Sequence, residues 1–304
     1  MFLTQLSLAD FRSYAVAEVE LRPGVTVFTG RNGQGKTNLI EAVDYLATLG
    51  SHRVALDAPL IRRGATRAIV RGRVQAGLDD PRQLLLEVEI HAGRANKASL
   101  NRGPLRRPRD LLGALRVVLF SPEDLALVKG DPTDRRRFVD ELVTARWPRM
   151  AGVRADYERV LKQRSSLLKS LTGRRGPLGE DASITLDFFS DQLAMLGAEL
   201  TRARLDTLRD MADAVADAYR AIAPTEDAAG IGYRSSSITG ETNGIVADPD
   251  AWGETELHAR YVERMDARRT EEIARGLSLV GPHRDDLLLT LGDFPAKGYA
   301  SHGE

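Results

Sequence analysis

The sequence predicts an α/β fold, a mixed sheet with helices, carrying an inserted α-helical lobe. Three features predict it. Strand-period alternation opens the chain, an apolar run ends in a glycine-rich loop that leads into a helix, and the period turns helical from about Pro122 to Arg275. Taken in order, Phe2 to Leu8 and Ala15 to Leu21 alternate apolar and polar residues around the turn-like Arg12-Ser13, an antiparallel pair. Val25-Thr26-Val27-Phe28 reads as a buried strand ending at Gly30. Asn38 to Leu49 follows, with Leu39, Ile40, Val43, Leu46 and Leu49 on one helical face and Gly50 as its stop. Further strands are expected at Ala68 to Ala76, Leu84 to Ile90 and Arg116 to Phe120, with a basic, proline-broken loop over Asn101 to Asp110.

Helices are expected across Pro132 to Trp147, Met150 to Leu171, Thr185 to Ile222 and Glu254 to Arg275, joined by loops at Gly173 to Asp181 and Ser235 to Asp250. Asp131 suits an N-cap, Pro132 the first helical position and Asp134 the returning carboxylate of a capping box. Strand character returns at Leu277 to Val280 and Asp286 to Leu291. The expected division is a first lobe over 1–121, a helical lobe over 122–275 and a return to the first lobe over 276–304.

The 304 residues are 42% hydrophobic and 28% charged, enough apolar material for a core in each of two lobes. With no cysteine, thiol nucleophiles, thiolate metal sites and disulfides are excluded, and the five histidines show no ligand spacing. No apolar stretch approaches the length of a membrane span and the first residues lack the pattern of a secretion signal, so a soluble, cytoplasmic protein is expected. Net charge is zero but uneven: Met1 to Arg175 holds 31 Lys and Arg against 19 Asp and Glu, and the rest 12 against 24. A basic half can attract a phosphate backbone or dock on the acidic half.

Gly30-Arg31-Asn32-Gly33-Gln34-Gly35-Lys36-Thr37 fits the pattern G-x-x-x-x-G-K-[ST] in full, between the strand and the helix that the motif requires. The glycines let successive backbone N–H groups face negative charge, Lys36 would reach β and γ phosphates, and Thr37 would offer its hydroxyl to magnesium. The pattern names neither base nor reaction. Asn96-Lys97-Ala98-Ser99 lacks the aspartate of a guanine reader, and a small-molecule phosphotransferase remains a rival reading.

Further motifs narrow the choice. Phe11-Arg12-Ser13-Tyr14, Ser51-His52-Arg53, Leu60-Ile61-Arg62, Phe120-Ser121-Pro122-Glu123-Asp124-Leu125 with Gly130-Asp131-Pro132 and Arg135-Arg136-Arg137-Phe138-Val139-Asp140, then Tyr157 with Leu161-Lys162-Gln163-Arg164, and Gly281-Pro282-His283-Arg284-Asp285-Asp286 preceded by Glu272, stand in one order. This series resembles the RecF family. The resemblance implies a P-loop ABC-type ATPase head, as in the SMC-type chromosome ATPases, with the inserted helical lobe. It implies ATP and magnesium as cofactors, an ATP-dependent homodimer, binding to single-strand and double-strand DNA at gaps, and work with RecO and RecR in recombinase loading during repair, replication restart and the SOS response. Beside the loop residues and Asn38, it places Arg12 near the nucleotide.

Tyr299-Ala300-Ser301-His302-Gly303-Glu304 resembles the start of the family's signature motif, so Ser301 and Gly303 are expected to complete the nucleotide site of a second subunit. The resemblance also implies a Walker B strand ending in Asp and Glu. No apolar run in the sequence ends so, which leaves no catalytic residue to assign, predicts severely impaired hydrolysis and leaves the edge of the Val25 strand open to aggregation. A DNA clamp that senses ATP without hydrolysing it is the alternative. The basic residues expected to meet DNA are Arg102, Arg106, Arg107 and Arg109, then Arg135 to Arg137, with His283 a candidate for nucleotide or DNA.

Overall fold

The computed structural model describes residues 1–173, 178–223, 228–241 and 244–299. The chain forms two compact units, Met1–Glu123 and Asp124–Glu304.

In the first unit β1 (Phe2–Phe11) pairs antiparallel with β2 (Tyr14–Glu20) on one side and with β3 (Arg67–Gln75) on the other. β3 then pairs with β4 (Gln83–His91), β4 with β5 (Lys97–Leu100) and β5 with β6 (Gly103–Pro104), giving the order β2-β1-β3-β4-β5-β6. The period-2 pattern is the cause: Leu6 and Leu8 of β1, Val70 and Val74 of β3, and Leu86, Val88 and Ile90 of β4 are buried, while their sequence neighbours, His91 excepted, are more exposed. Helix α1 (Lys36–Thr48) packs Leu39, Ala42, Tyr45 and Leu46 into the same core.

Two expected strands form no ladder. Residues 25–29 and 116–120 lack strand pairing, and Val25, Val27, Val118 and Phe120 are 94, 73, 100 and 88% exposed. Their apolar composition suits a covered strand, but among the described residues no neighbour supplies the edge. β6 lies inside the segment expected as a basic loop, and β5 directly precedes it. Asn101 takes a left-handed φ of 51° between them, and its side-chain oxygen accepts the Leu85 N–H at 2.8 Å.

The second unit is largely helical: α2 (Ala126–Lys129), α3 (Pro132–Arg146), α4 (Met150–Leu171), α5 (Glu180–Ile222), α6 (Ser236–Thr239), α7 (Glu254–Ala267) and α8 (Arg269–Arg275). Leu193, Ala194, Ala198 and Leu205 of α5 meet Tyr157 and Val160 of α4 and Leu257, Tyr261 and Met265 of α7 in one core. A three-stranded antiparallel sheet completes it, with β8 (Asp286–Leu291) between β7 (Ala229–Arg234) and β9 (Phe294–Pro295).

Several expectations need correcting here. The segment expected to rejoin the first lobe instead lies in the second unit, because β8 finds its antiparallel partner in β7. Leu277 to Val280 is not a strand: the buried Glu272 carboxylate accepts the Leu279 N–H at 2.6 Å and the Glu272 carbonyl accepts that of Leu277. The helix expected from Glu254 to Arg275 breaks at Arg268. Asp131 is the N-cap of α3 with Pro132 at N1, yet no side-chain capping bond forms; the Asp131 backbone carbonyl takes the Asp134 N–H instead.

Candidate functional site

The turn between β1 and β2 and the loop before α1 are built against each other. Arg12 sits at a left-handed φ of 53°, its N–H bonded to the Leu60 carbonyl at 2.7 Å. That conformation sends the next two side chains to the glycine-rich loop. Ser13 Oγ accepts from the Asn38 amide at 3.0 Å, and Tyr14 Oη reaches the Gln34 carbonyl at 3.5 Å. Gly30, Gly33 and Gly35 all have positive φ, at 146, 80 and 91°. At Gly35 the requirement is doubled, since a Cβ there would stand 2.8 Å from Ser13 Oγ and 3.0 Å from the Tyr14 ring.

α1 starts at Lys36, directly behind the loop, so its unpaired first-turn amides and positive end lie at the glycines. The Lys36 ammonium folds back over the loop and donates to the carbonyls of Gly30 at 2.7 Å and Arg31 at 2.8 Å. Arg31, Asn32, Gly33, Gln34 and Thr37 are exposed, and space around Gly30 and Gly33 is open. A triphosphate fits this cradle, and the Thr37 hydroxyl in the first helical turn fits one ligand position of a magnesium ion.

Arg12 does not point a free guanidinium into this cradle. Its Nε and Nη2 grip both oxygens of Glu41 at 2.8 and 2.5 Å, and Nη1 donates to the Pro59 carbonyl. Ser51 Oγ and Arg53 Nη1 also bond the Glu41 carboxylate, and Arg53 reaches Asn38 Oδ1 at 3.1 Å. Burial alone pushes the Glu41 carboxyl up; the hydrogen bonds of Arg12 and Ser51 and the two guanidinium charges outweigh it and hold it below the usual range. Glu41 thus ties the Arg12 turn, α1 and the Ser51 segment into one frame behind the loop. Sequence reasoning missed it; the available signal was an acid on the apolar face of α1, with arginines in both neighbouring motifs.

In the second unit the Gly281 to Asp286 motif is the hub of a buried polar network. Asp140 of α3 receives a bidentate grip from Arg204 of α5 at 2.8 and 3.0 Å, and Arg204 also donates to the Pro282 carbonyl. Tyr233 Oη donates to Asp285 at 2.8 Å, and burial pushes the Asp285 carboxyl up to about 6. Arg135 clamps Asp286 at 2.7 and 2.9 Å, while Arg137 pairs with Glu141 at 3.8 Å. Arg135 is therefore structural and buried, not a member of an exposed basic face. His283 is committed as well: Nε2 faces the Ser278 carbonyl at 3.1 Å, so it carries the proton, and Nδ1 accepts from Tyr157 Oη at 2.6 Å. Burial lowers its pKa to about 4, which leaves a neutral ring that holds the motif in place.

Arg106 and Arg107 line a cleft in the first unit, and Arg107 stands 3.4 Å from Asp110, so the basic loop is partly neutralised locally. Ser301 and Gly303 lie outside the described residues. Among the described residues no cluster of His, Cys, Asp or Glu could hold a metal, and no helix is long and apolar enough to cross a membrane.

Residues 5–58, which carry the loop, match a family model described as an AAA domain. A solved structure titled as the recombination mediator protein RecF-ATPrS in the RecFOR pathway superposes with a TM-score of 0.86 at 25% identity, covering 99% of this chain and 76% of that one. The fold is accordingly an ABC-type ATPase head of that kind, with a long helical insertion. Curated relatives named DNA replication and repair protein RecF from Cutibacterium acnes and Streptomyces avermitilis are each 54% identical over all of this chain and 78% of their own length. The chain belongs to the RecF family.

Proposed function

We propose that this chain binds magnesium-ATP in the loop from Gly30 to Thr37, pairs with a second copy in response, and engages DNA at single-strand gaps to assist recombinase loading in recombinational repair. RecO and RecR are the partners that fit this reading, and the cytoplasm is its place. The observation that carries it is the geometry of the loop. Three positive-φ glycines stand ahead of a helix N-terminus, with the Lys36 ammonium held over them by two carbonyls. Similarity to relatives named for DNA replication and repair, and to a solved RecF bearing an ATP analogue, supports the extension from nucleotide to DNA.

The nucleotide supplies the binding energy that couples two copies, and magnesium the charge that joins its phosphates to the protein. The protein's share is positioning. Lys36 exchanges carbonyl contacts for phosphate oxygens, the loop amides stabilise negative charge without reorganising, and Glu41 holds the Arg12 turn rigid behind them. These residues bind and orient; none of them activates water.

Calorimetric titration of the chain with magnesium-ATP tests the reading. Lys36→Ala removes one charge-assisted contact, so affinity should fall roughly ten- to a hundred-fold. Sedimentation with and without ATP, and with gapped DNA, separates this reading from a small-molecule phosphotransferase. Absence of magnesium-ATP binding, or an unaltered Lys36→Ala, would overturn it.

A further inference from the structure

We infer that the second unit carries a phosphate-binding pocket formed by Arg136, Arg234 and Arg284 at the N-terminus of α3. The inference deepens the DNA reading above and rests on it for the source of the phosphate, not for the site itself.

The pocket is a half-open cleft of about 420 Å³, lined by Asp131, Pro132 and Thr133 of α3 and by these three arginines. The arginines are set apart by their partners. Elsewhere in this unit Arg135, Arg164 and Arg204 are buried against the carboxylates of Asp286, Glu272 and Asp140. None of the three in the cleft forms a direct ion pair among the described residues, although the charges of Asp286 and Asp285 act on Arg136 from nearby. Arg136 donates to the Asp285 carbonyl at 2.8 Å and to Thr133 Oγ1 at 3.0 Å, and Arg284 donates to the Ser278 carbonyl. Among the described residues the Arg234 side chain has no hydrogen-bond partner, and its Nε is shut off from solvent without an acceptor.

A guanidinium bonded only to carbonyls or hydroxyls keeps its full charge. Arg136 and Arg234 are half-buried and Arg284 is exposed, so the cost of bringing three like charges to one cleft is mainly their mutual repulsion, which an anion would relieve. The helix adds its positive end, and α3 has 15 residues, enough for a macrodipole. Two carboxylates border the cleft. Asp286 is already neutralised by the Arg135 fork, and Asp131 has an exposed side chain that makes no capping bond. His283 is neutral and engaged inward, so it adds shape and not charge. Planar, multidentate donors favour the tetrahedral oxygens of phosphate, and the volume suits one phosphate with part of its sugar.

Two arms distinguish free phosphate from a nucleic-acid backbone. The first uses the full chain in a Lys36→Ala background, which weakens the loop's own phosphate affinity. Both tryptophans, Trp147 and Trp252, lie in the second unit, so their fluorescence follows that unit through urea unfolding. Inorganic phosphate should raise the midpoint above that in chloride of matched ionic strength. Arg234→Gln, which breaks no bond, should reduce the rise, and Arg234→Gln with Arg284→Gln should bring it down to the generic salt effect. The second arm measures binding of a gapped DNA duplex against salt. Arg234→Gln should make the slope of log K on log salt shallower by about 0.9, the equivalent of one phosphate, and Arg159→Gln, a charge-matched control on α4, should not.

Loss in both arms supports the pocket with DNA as its source. Loss of the phosphate response alone supports the pocket with a free phosphate group; if the parent chain binds no gapped DNA, the DNA reading is what fails. An unchanged phosphate response in the double variant, or no phosphate response in its parent, overturns the proposal whatever the DNA arm shows.

Discussion

His283 and Asp285 should make opposite and nearly cancelling contributions to the pH dependence of the second unit. Burial lowers the His283 pKa to about 4, with the positive charges of Arg284, Arg136 and Arg164 adding to the effect. An unfolded histidine titrates near 6.5, so below that pH the unfolded state holds the proton that the folded state refuses. Stability from this group is present above about 6.5 and lost as pH falls toward 4. Burial raises Asp285 to about 6, against the bonds and charges of Ser235, Tyr233, Arg204 and Arg136, while an unfolded aspartate titrates near 3.9. Here the folded state holds the extra proton, so the contribution is greatest below about 4 and lost as pH rises through 6. Each slope is about 1.4 kcal/mol per pH unit, and over two units each amounts to about 3 kcal/mol. His283→Gln should therefore leave the Asp285 slope exposed, and stability relative to the parent should rise on going from pH 6.5 to 4.5. Asp285→Asn should do the reverse. Urea unfolding followed by tryptophan fluorescence at half-unit intervals measures both, and the difference from the parent cancels every other carboxylate. Curves parallel to the parent's for both variants would refute the burial argument.

The other two predictions concern packing. Arg164 and Glu272 are 1 and 0% exposed and bonded at 2.6 Å, with Ser190 and Ser278 completing the Arg164 donors. Glu272→Gln should cost about 3–5 kcal/mol by leaving the guanidinium unpaired, lowering the melting temperature by on the order of 10 °C, and Arg164→Met added to it should recover most of the loss. Replacing Val25, Val27 and Val118 by Thr and Phe120 by Ser removes apolar surface that is already exposed, so the melting temperature should hold within about 2 °C. Light scattering on concentration should fall; a lost fold would show that these residues are covered.

The elements that periodicity revealed are those whose neighbours lie close in sequence. β1 with β2, β3 and β4 alternate cleanly, and α4 falls on Met150–Leu171, as its spacing predicts. β7 escaped because Ala-Gly-Ile-Gly-Tyr-Arg has glycine where a strand usually shows apolar side chains; its partner β8 is more than fifty residues away. Leu277 to Val280 looked like a strand because apolar content is blind to a buried carboxylate that captures the backbone. The phosphate loop was legible because every residue type in it answers to one short stretch of backbone. Glu41 was not, because its partners Arg12, Ser51 and Arg53 come together only when the turn, the helix and the following segment fold.

Charge shows the same division between what is local in sequence and what is local in space. The residues after Arg175 are acidic as a set, which points any phosphate contact to the basic first half. In the second unit, however, carboxylates are spent on particular arginines: Asp286 on Arg135, Asp140 on Arg204, Glu272 on Arg164. The arginines left with carbonyl partners or none then define the field, and two of them, Arg234 and Arg284, belong to the acidic portion of the chain. Net charge sets how a domain repels or attracts at a distance beyond the screening length of about 8 Å; inside a cleft the pairing pattern decides the sign. Counting residues along Arg135-Arg136-Arg137 gives three equal cations. Pairing separates them into one buried clamp, one cation facing the cleft and one exposed partner of Glu141, so the three differ in what they can offer a ligand.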